Sequence, residues 1–487
     1  MLGESKTTQT KSQIHLMTVS LCLKTKMSLS EKSSQVKVNY KLMALLFTGV
    51  LMGALDIAII GPALPAIKSA FNISTRDASW VINIYLLMNM LSAPLMSKLS
   101  DIHGRRIIYI IDVALFGIGS IVIALAPDFT TVLIGRAIQG FGSGGIFPVA
   151  SAVIGDTFPK EKQGSALGMI GAVFGLAFII GPIVGGLLLM YNWQFIFVIN
   201  IPIAIVVIYF SRTLLPSLVK KRRKKFDLLG TFLLISALAA LSIGINRIES
   251  DNFLNSIVSW QVLPFVLYAI IALPIFYKVE EKAEDGIIKI ELLQNPVLRL
   301  TFLLGLCAGL AEAAVIFVPS MLTKTFGVSD STASFMLIPM VVAMLIGALL
   351  SGRATDKIGP RLTLMIAGLL TSFGFLLVGF KGDELYWMYS GGILIGLSLA
   401  ALLGAPLRFL VNSNTDRGMR ASGQGVVTVS TGTGQIISAA LLGALITSLG
   451  NSIQSYMSSF LFVSIIGIFV VILAFMLPKN NIAQIKT

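Results

Sequence analysis

Charge is scarce in this sequence. Asp, Glu, Lys and Arg make up 12% of its 487 residues, about half the share usual in soluble domains. Residues of the hydrophobic set make up 55%. A chain so composed cannot cover a water-facing surface with polar groups, so lipid must be the solvent for much of it. The mean hydropathy of +0.87 agrees. Cysteine and histidine are also rare. Cys22 and Cys307 stand far apart, which excludes a disulfide framework or a cysteine-rich metal site. His15 and His103 lack the spacing of zinc ligands. No metal or cofactor is expected.

What charge there is leans basic, with a net +14 and a pI near 9.7. The basic residues do not form a patch interleaved with aromatics, so nucleic acid is not an expected partner. They fall instead between apolar runs. About 20 apolar residues cross a bilayer core, and fourteen such stretches are predicted: 42–66, 78–99, 107–126, 130–153, 164–188, 195–215, 228–247, 259–279, 299–323, 331–351, 361–380, 384–411, 421–449 and 456–478.

Lys98, Arg105 and Arg106 are expected between the second and third helices, and Lys160 and Lys162 between the fourth and fifth. The run Lys220-Lys-Arg-Arg-Lys-Lys225 falls between the sixth and seventh. Lys357 and Arg361 follow the tenth helix, and Arg417 and Arg420 the twelfth. With fourteen alternating helices these all lie on one side. Opposite loops such as Asp128-Phe129 and Glu249-Ser-Asp251 are poor in Lys and Arg. The expectation is a multi-pass protein of the cell membrane with both termini cytosolic. The basic run serves as a topology anchor or touches anionic lipid. Residues 1–40 are polar, lack the core of a cleaved signal peptide, and read as a disordered cytosolic tail, with Met27 as an alternative start.

An internal repeat organises the rest. Met52-Gly-Ala-Leu-Asp56 and Ala308-Gly-Leu-Ala-Glu312 each place a carboxylate three residues after a glycine, with prolines soon after. Asp101-Ile-His-Gly-Arg-Arg106 recurs as Asp356-Lys-Ile-Gly-Pro-Arg361. Gly140 recurs as Gly396. These correspondences share one offset of 255 or 256 positions. They relate helices one to six to helices nine to fourteen and leave seven and eight as an insertion. The domains expected are a tail (1–40), a six-helix bundle (41–217), a basic loop with two inserted helices and a linker (218–297), a second six-helix bundle (298–478) and a tail (479–487). Duplicated bundles of this kind place a binding site between the halves near the midplane.

Four segments carry a resemblance: Leu55-Asp-Ile-Ala-Ile-Ile-Gly-Pro-Ala-Leu-Pro65, Ser97-Lys-Leu-Ser-Asp-Ile-His-Gly-Arg-Arg106, Leu133-Ile-Gly-Arg-Ala-Ile-Gln-Gly-Phe-Gly142 and Gly181-Pro-Ile-Val-Gly-Gly186. Together they resemble the major facilitator superfamily, and within it the fourteen-helix drug:proton antiporters of the EmrB/QacA type, over about residues 42–478. The resemblance implies an all-α membrane protein of the major facilitator fold: two six-helix pseudo-symmetric bundles plus two inserted helices. It implies proton-coupled antiport of small amphipathic or cationic compounds, multidrug efflux and with it antibiotic resistance. Export of one metabolite or antibiotic, or import by the same fold, are the alternatives. Partners are a small-molecule substrate, protons and lipid, and the protein is expected to act as a monomer. Ser97 stands where the loop signature usually has glycine, and Pro360 replaces an arginine in the second copy.

The candidate site residues follow from membrane physics for the buried charges and from the resemblance for the loop and glycine motifs. Asp56 lies in the middle of the first helix, where a charge costs about 2.5–3.5 kcal/mol, so it must face protein or water. Such a group holds either a proton or a cationic substrate. Glu312 is its repeat partner. Arg136 is expected near the level of Asp56, paired with it or bonded to a backbone carbonyl of the first helix. Asp112 belongs to a proton path or pairs with Arg105 or Arg106. Arg408 is expected near a helix end, snorkelling, without chemistry. Asp101, Gly104, Arg105 and Arg106 look like a conformational latch, with the degenerate copy at Asp356 of lesser weight. The glycines Gly171, Gly175, Gly181, Gly185 and Gly186, with Pro182, look like an antiporter element that seals the cavity by close helix packing. The 29 Phe and 19 Met could supply an adaptable lining.

Other classes lack their motifs. No GxxxxGK[ST] loop is present, and the glycine run Gly140–Gly145 lies in an apolar stretch without lysine. No nucleophile–base set suggests an enzyme, no filter motif a channel, and no soluble stretch is long enough for a sensor domain.

Overall fold

The computed structural model describes residues 39–217, 227–248, 253–283 and 286–479. Contacts divide the chain into Met1–Tyr40 and Lys41–Thr487, and the membrane-spanning helices belong to the second. The expected N-terminal tail up to residue 38, the basic run 220–225, the acidic loop 249–251 and the tail from residue 480 lie outside the described residues.

Fourteen helices among the described residues are long and apolar enough to cross a membrane. They are α1 (Tyr40–Gly61, helical on to Phe71), α2 (Asp77–His103), α3 (Arg105–Ala124), α4 (Phe129–Thr157), α5 (Lys160–Leu189), α6 (Phe195–Leu214) and α7 (Leu228–Ile245). There follow α8 (Leu263–Lys282), α9 (Pro296–Phe326), α10 (Thr332–Ile358), α11 (Pro360–Lys381), α12 (Leu385–Asn414), α13 (Arg420–Ser448) and α14 (Ile453–Met476). No strand occurs among the described residues. The protein is an all-helical, multi-span membrane protein. Large apolar side chains such as Ile118, Ile205, Phe232, Phe373 and Phe469 stand exposed, as a lipid-facing belt requires.

The repeat in the sequence is a repeat in space. In the first bundle α2 packs on α4, α3 on α4 and α3 on α6; eight helices later α10 packs on α12, α11 on α12 and α11 on α14. The repeated glycines show the reason for their conservation of spacing within the chain. A Cβ at Gly140 would collide with the carbonyl of Tyr85 on α2, and one at Gly396 with the carbonyl of Met340 on α10. Each glycine lets the same pair of backbones touch. Gly104 and Gly359 repeat as well, with φ of 99° and 87°, a region that favours glycine.

The seam between the bundles is made by α2 with α13 and by α5 with α10. The inserted α7 packs on α8 and touches both α2 and α13, so it lies along one side of the seam. Leu234 and Leu238 of α7 and Phe276 of α8 share a core with Met90 and Leu91 of α2 and Val426 of α13.

Three expectations about the helices are corrected. The first latch motif is not a loop: α2 ends at His103 and α3 begins at Arg105, so Gly104 alone joins them. Lys98 is therefore a buried residue of α2, at 2% exposure. Second, α12 does not run unbroken; it stops at Gly404 (φ −100°, ψ −129°) and restarts at Ala405. Pro406 lacks the N–H that would continue the ladder. Third, α9 passes through a 3₁₀ turn at Ala314–Phe317 before Pro319. By contrast α5 stays helical through Pro182.

Candidate functional site

Asp56 sits in α1 at 2% exposure, inside the first bundle. Arg136 of α4 donates from Nη1 to its Oδ2 at 2.6 Å. Gln139 Nε2 and Asn200 Nδ2 donate to its Oδ1 at 2.8 and 3.3 Å. Arg136 lies one turn from Gln139 on α4, so both reach α1 together. The guanidinium also donates from Nε to the Val81 carbonyl of α2 at 2.8 Å and lies over the Tyr85 ring at 4.3 Å. Arg136 thus pairs with Asp56, and the backbone carbonyl it reaches belongs to α2, not to α1 as the alternative had it. Gln139 and Asn200 were not anticipated. The signal for Gln139 was available, as a polar residue one turn after an intramembrane arginine.

Glu312 occupies the equivalent place in the second bundle, on α9, and is partly buried. Its partner is neutral: Gln435 Nε2 of α13 donates to Oε2 at 2.5 Å. None of the described ion pairs includes Glu312. The two repeat carboxylates therefore differ in kind, one held by a cation and one by an amide.

At the end of the molecule where α2 meets α3, charged groups tie the bundles together. Arg105 donates to Asp101 at 2.5 Å, to Asp156 of α4 at 3.0 Å and to the Arg417 carbonyl at 2.7 Å. Asp156 also accepts from Arg420 of α13 at 2.9 Å, and Arg420 donates to the Gly155 carbonyl. Asp101 accepts from the backbone and hydroxyl of Ser422 at 2.8 and 2.6 Å. The second copy does the same in reverse: Asp356 of α10 accepts from the backbone N–H groups of Gly164 and Ser165, each at 2.7 Å, and from the Ser165 hydroxyl. Asp356 thus crosses the seam as Asp101 does, but no arginine pairs with it among the described ion pairs, whereas Asp101 also holds Arg105. Arg106 stands apart, donating to the Leu215 carbonyl at 2.8 Å.

The glycine element of α5 divides. Gly175 lies against the backbone of Leu345 on α10, at 2.9 Å from where its Cβ would be. Gly181 and Gly185 take Ala58 and Ile59 of α1. Gly171 packs loosely, Gly186 meets nothing, and Pro182 is exposed. The first three permit close approach; Pro182 and Gly186 face outward.

Two charged residues depart from expectation. Arg408 does not snorkel. The break at Gly404 places it in a second helical segment at 3% exposure. It donates to the Gln424 carbonyl at 2.8 Å and to Thr428 at 3.2 Å, and lies over the Phe147 ring at 4.5 Å. No carboxylate is among its described partners, and its Nε is buried without one. Asp112 pairs with neither Arg105 nor Arg106, which are engaged as above. Both its oxygens are buried without a hydrogen-bond partner. An apolar pocket also exists, lined by Val318, Met340, Phe375, Val378 and Phe460; these residues place it within the second bundle.

Comparison with known proteins gives a consistent result. The sequence matches the family model of the Major Facilitator Superfamily over residues 46–281 and 301–486. The uncharacterized MFS-type transporter YfiU of Bacillus subtilis (strain 168) is 34% identical over 440 residues, 88% of this chain and 85% of that protein. The multidrug transporter protein MdtP of the same organism is 32% identical over 358 residues, 72% of this chain and 64% of that protein. Among solved structures, the human organic anion transporter MFSD10 (TETRAN) superposes with a TM-score of 0.70 at 16% identity, covering 90% of this chain and 100% of that one.

Proposed function

The chain belongs to the major facilitator superfamily, and from that premise we propose that it is a proton-coupled antiporter exporting small amphipathic or cationic compounds by alternating access. It is a transporter and not an enzyme. The observation that carries the proposal is the pair of intramembrane carboxylates at equivalent places in the two bundles. Asp56 is neutralised by Arg136, whereas Glu312 has only Gln435.

A carboxylate without a cation takes either a proton or a positively charged substrate, but not both. At Glu312 that exclusion is the coupling step. Asp56 acts differently. Protonating it removes the charge that holds Arg136, whose remaining bonds reach Val81 of α2 and Gln139 of α4. A proton there changes how α1, α2 and α4 hold together, which is what a state-dependent switch requires.

The basic ends of the helices support a cytosolic assignment for the clamped face, with both termini cytosolic in the cell membrane. The ties at Asp101, Asp156 and Asp356 support a state closed on that side. The bundles 41–217 and 298–478 are the bodies that rock, the inserted α7 rides along the seam with α8 packed on it, and the protein works as a monomer.

A second reading, export of one specific acidic or zwitterionic metabolite, is favoured by Arg408. Its guanidinium is fixed in charge and has no described carboxylate to meet it.

The test is transport in proteoliposomes with an imposed pH gradient. Tetraphenylphosphonium should accumulate against the gradient with the wild-type protein and not with Glu312→Gln or Asp56→Asn. Normal gradient-driven accumulation in both variants would overturn the proposal. Movement of a lipophilic anion, lost in Arg408→Gln, with none of the cation, would replace it by the second reading.

A further inference from the structure

One face of α3 carries Arg105, Tyr109, Asp112, Phe116 and Ser120, spaced four, three, four and four residues apart. That is the stripe a helix presents along one face. Each of these side chains is completely buried. The two ends of the stripe are engaged. Arg105 is locked in the clamp with Asp101 and Asp156. Ser120 accepts from Gln139, which in turn donates to Asp56. The middle is not engaged. Both carboxyl oxygens of Asp112 and the hydroxyl of Tyr109 are buried with no hydrogen-bond partner.

Glycines of the neighbouring helices make room for these groups. A Cβ at Gly145 of α4 would collide with the Asp112 carboxyl, and one at Gly49 of α1 with the Tyr109 hydroxyl. Gly142 of α4 lies against the Asp112 carbonyl, 2.5 Å from where its Cβ would be. The slot thus lies where α1, α3 and α4 meet. Gly145 of α4 borders the carboxyl and Gly49 of α1 the hydroxyl. None of the described ion pairs or hydrogen bonds reaches the Asp112 carboxyl, and Arg105, the cation on its own stripe, is taken. Buried polar atoms without partners are uncommon in folded proteins, and three in one slot call for a function.

We infer that Asp112 and Tyr109 form a proton-binding site enclosed within the first bundle, separate from the Asp56 cluster. It holds the transported proton between the centre of the membrane and the clamp. The inference rests on the proton-coupled reading above. The neutral acid is the form that a slot with no donor and no counter-charge accommodates. Asp112 stands about 12 Å of helix from Ser120, at 1.5 Å per residue. Phe116 fills the stripe between them, so the two acids are not joined and the clamped state does not leak protons. When the clamp opens, water reaches Tyr109. The Asp112 O–H bond then breaks, the proton passes to water, and a carboxylate remains. The carboxylate takes a proton back from the Asp56 side only when Phe116 turns aside, a step separate from the opening of the clamp. Only a proton moves, and no oxidant or reductant is needed.

The experiment uses the full-length protein in sodium-free proteoliposomes containing a pH-sensitive dye, with tetraphenylphosphonium as the transported probe. Asp112→Asn is expected to slow cation-coupled proton movement by roughly a hundredfold, the scale of a positioned proton-transfer group, and so to lower the proton-to-cation ratio. Cation-for-cation exchange without a gradient should persist. The infrared absorption of protonated carboxylic acids should lose one component in Asp112→Asn, while the component that Glu312→Gln removes stays. Tyr109→Phe should slow proton release while leaving exchange intact, and it decides the matter if Asp112→Asn does not fold. An unchanged proton-to-cation ratio in the folded variant overturns the inference, as does a requirement for sodium in place of protons. A wild type that moves the cation with no proton flux sinks the proton-coupled reading itself, which distinguishes the two failures.

Discussion

Ser165 of α5 donates its backbone N–H to Asp356 of α10 at 2.7 Å, across the seam between the bundles. Ser422 of α13 donates in the same way to Asp101 of α2, at 2.8 Å. The two aspartates of the repeated motif are thus reciprocal. Asp101 reaches the first turn of α13, where free N–H groups and the helix dipole favour a negative charge, and Asp356 reaches the second turn of α5. The pair closes one end of the seam from both sides.

Asp101→Asn and Asp356→Asn should each open that end. Hydrogen bonds to a charged acceptor are worth about 1.5–3 kcal/mol, enough to raise the open population more than tenfold. Asp101→Asn should have the larger effect, because Asp101 also holds Arg105. Distances between spin labels on the basic ends of α2 and α13 would report it. An unchanged distance distribution in both variants would remove the latch role.

Gly140→Ala and Gly396→Ala should destabilise the fold by comparable amounts, since each Cβ meets a backbone carbonyl. Overpacking of this kind costs typically 1–3 kcal/mol. Gly186→Ala, in open space, should stay within about 0.5 kcal/mol of the wild type. Thermal unfolding in detergent is the measurement, and a ranking with Gly186→Ala the most damaging would contradict the packing described.

Asp56 and Arg136 should show strong coupling in a double-mutant cycle. Removing one partner leaves the other's charge buried, at a cost of about 3–5 kcal/mol. Asp56→Asn with Arg136→Gln removes both charges and should lose less than the sum of the single variants. Additive losses in denaturation would mean the bond at 2.6 Å contributes nothing specific.

Much of this architecture was legible in the sequence because lipid imposes simple rules. Helices had to be long and apolar, so the fourteen spans stood out. The repeat was legible because Gly140 and Gly396, or Gly104 and Gly359, answer the same steric demand in each bundle. The partners of the charged residues were not legible. Asp156 and Arg420 meet across 264 positions of sequence, and no local pattern announces such a pair. Arg408 departs from its expected place because the helix breaks at Gly404-Ala-Pro406, and a glycine and a proline so close are a signal for a break. Asp112 was expected to find a cation because an unpaired buried acid is unusual. Its slot depends on glycines of two other helices.

The most direct test of competition at Glu312 needs no gradient. Purified protein in weakly buffered detergent solution, given a saturating lipophilic cation, should release protons to the medium as the cation displaces them. A pH-sensitive dye reads the release. The account predicts a burst with the wild type and none with Glu312→Gln. Cation binding that releases no protons from the wild type would contradict it.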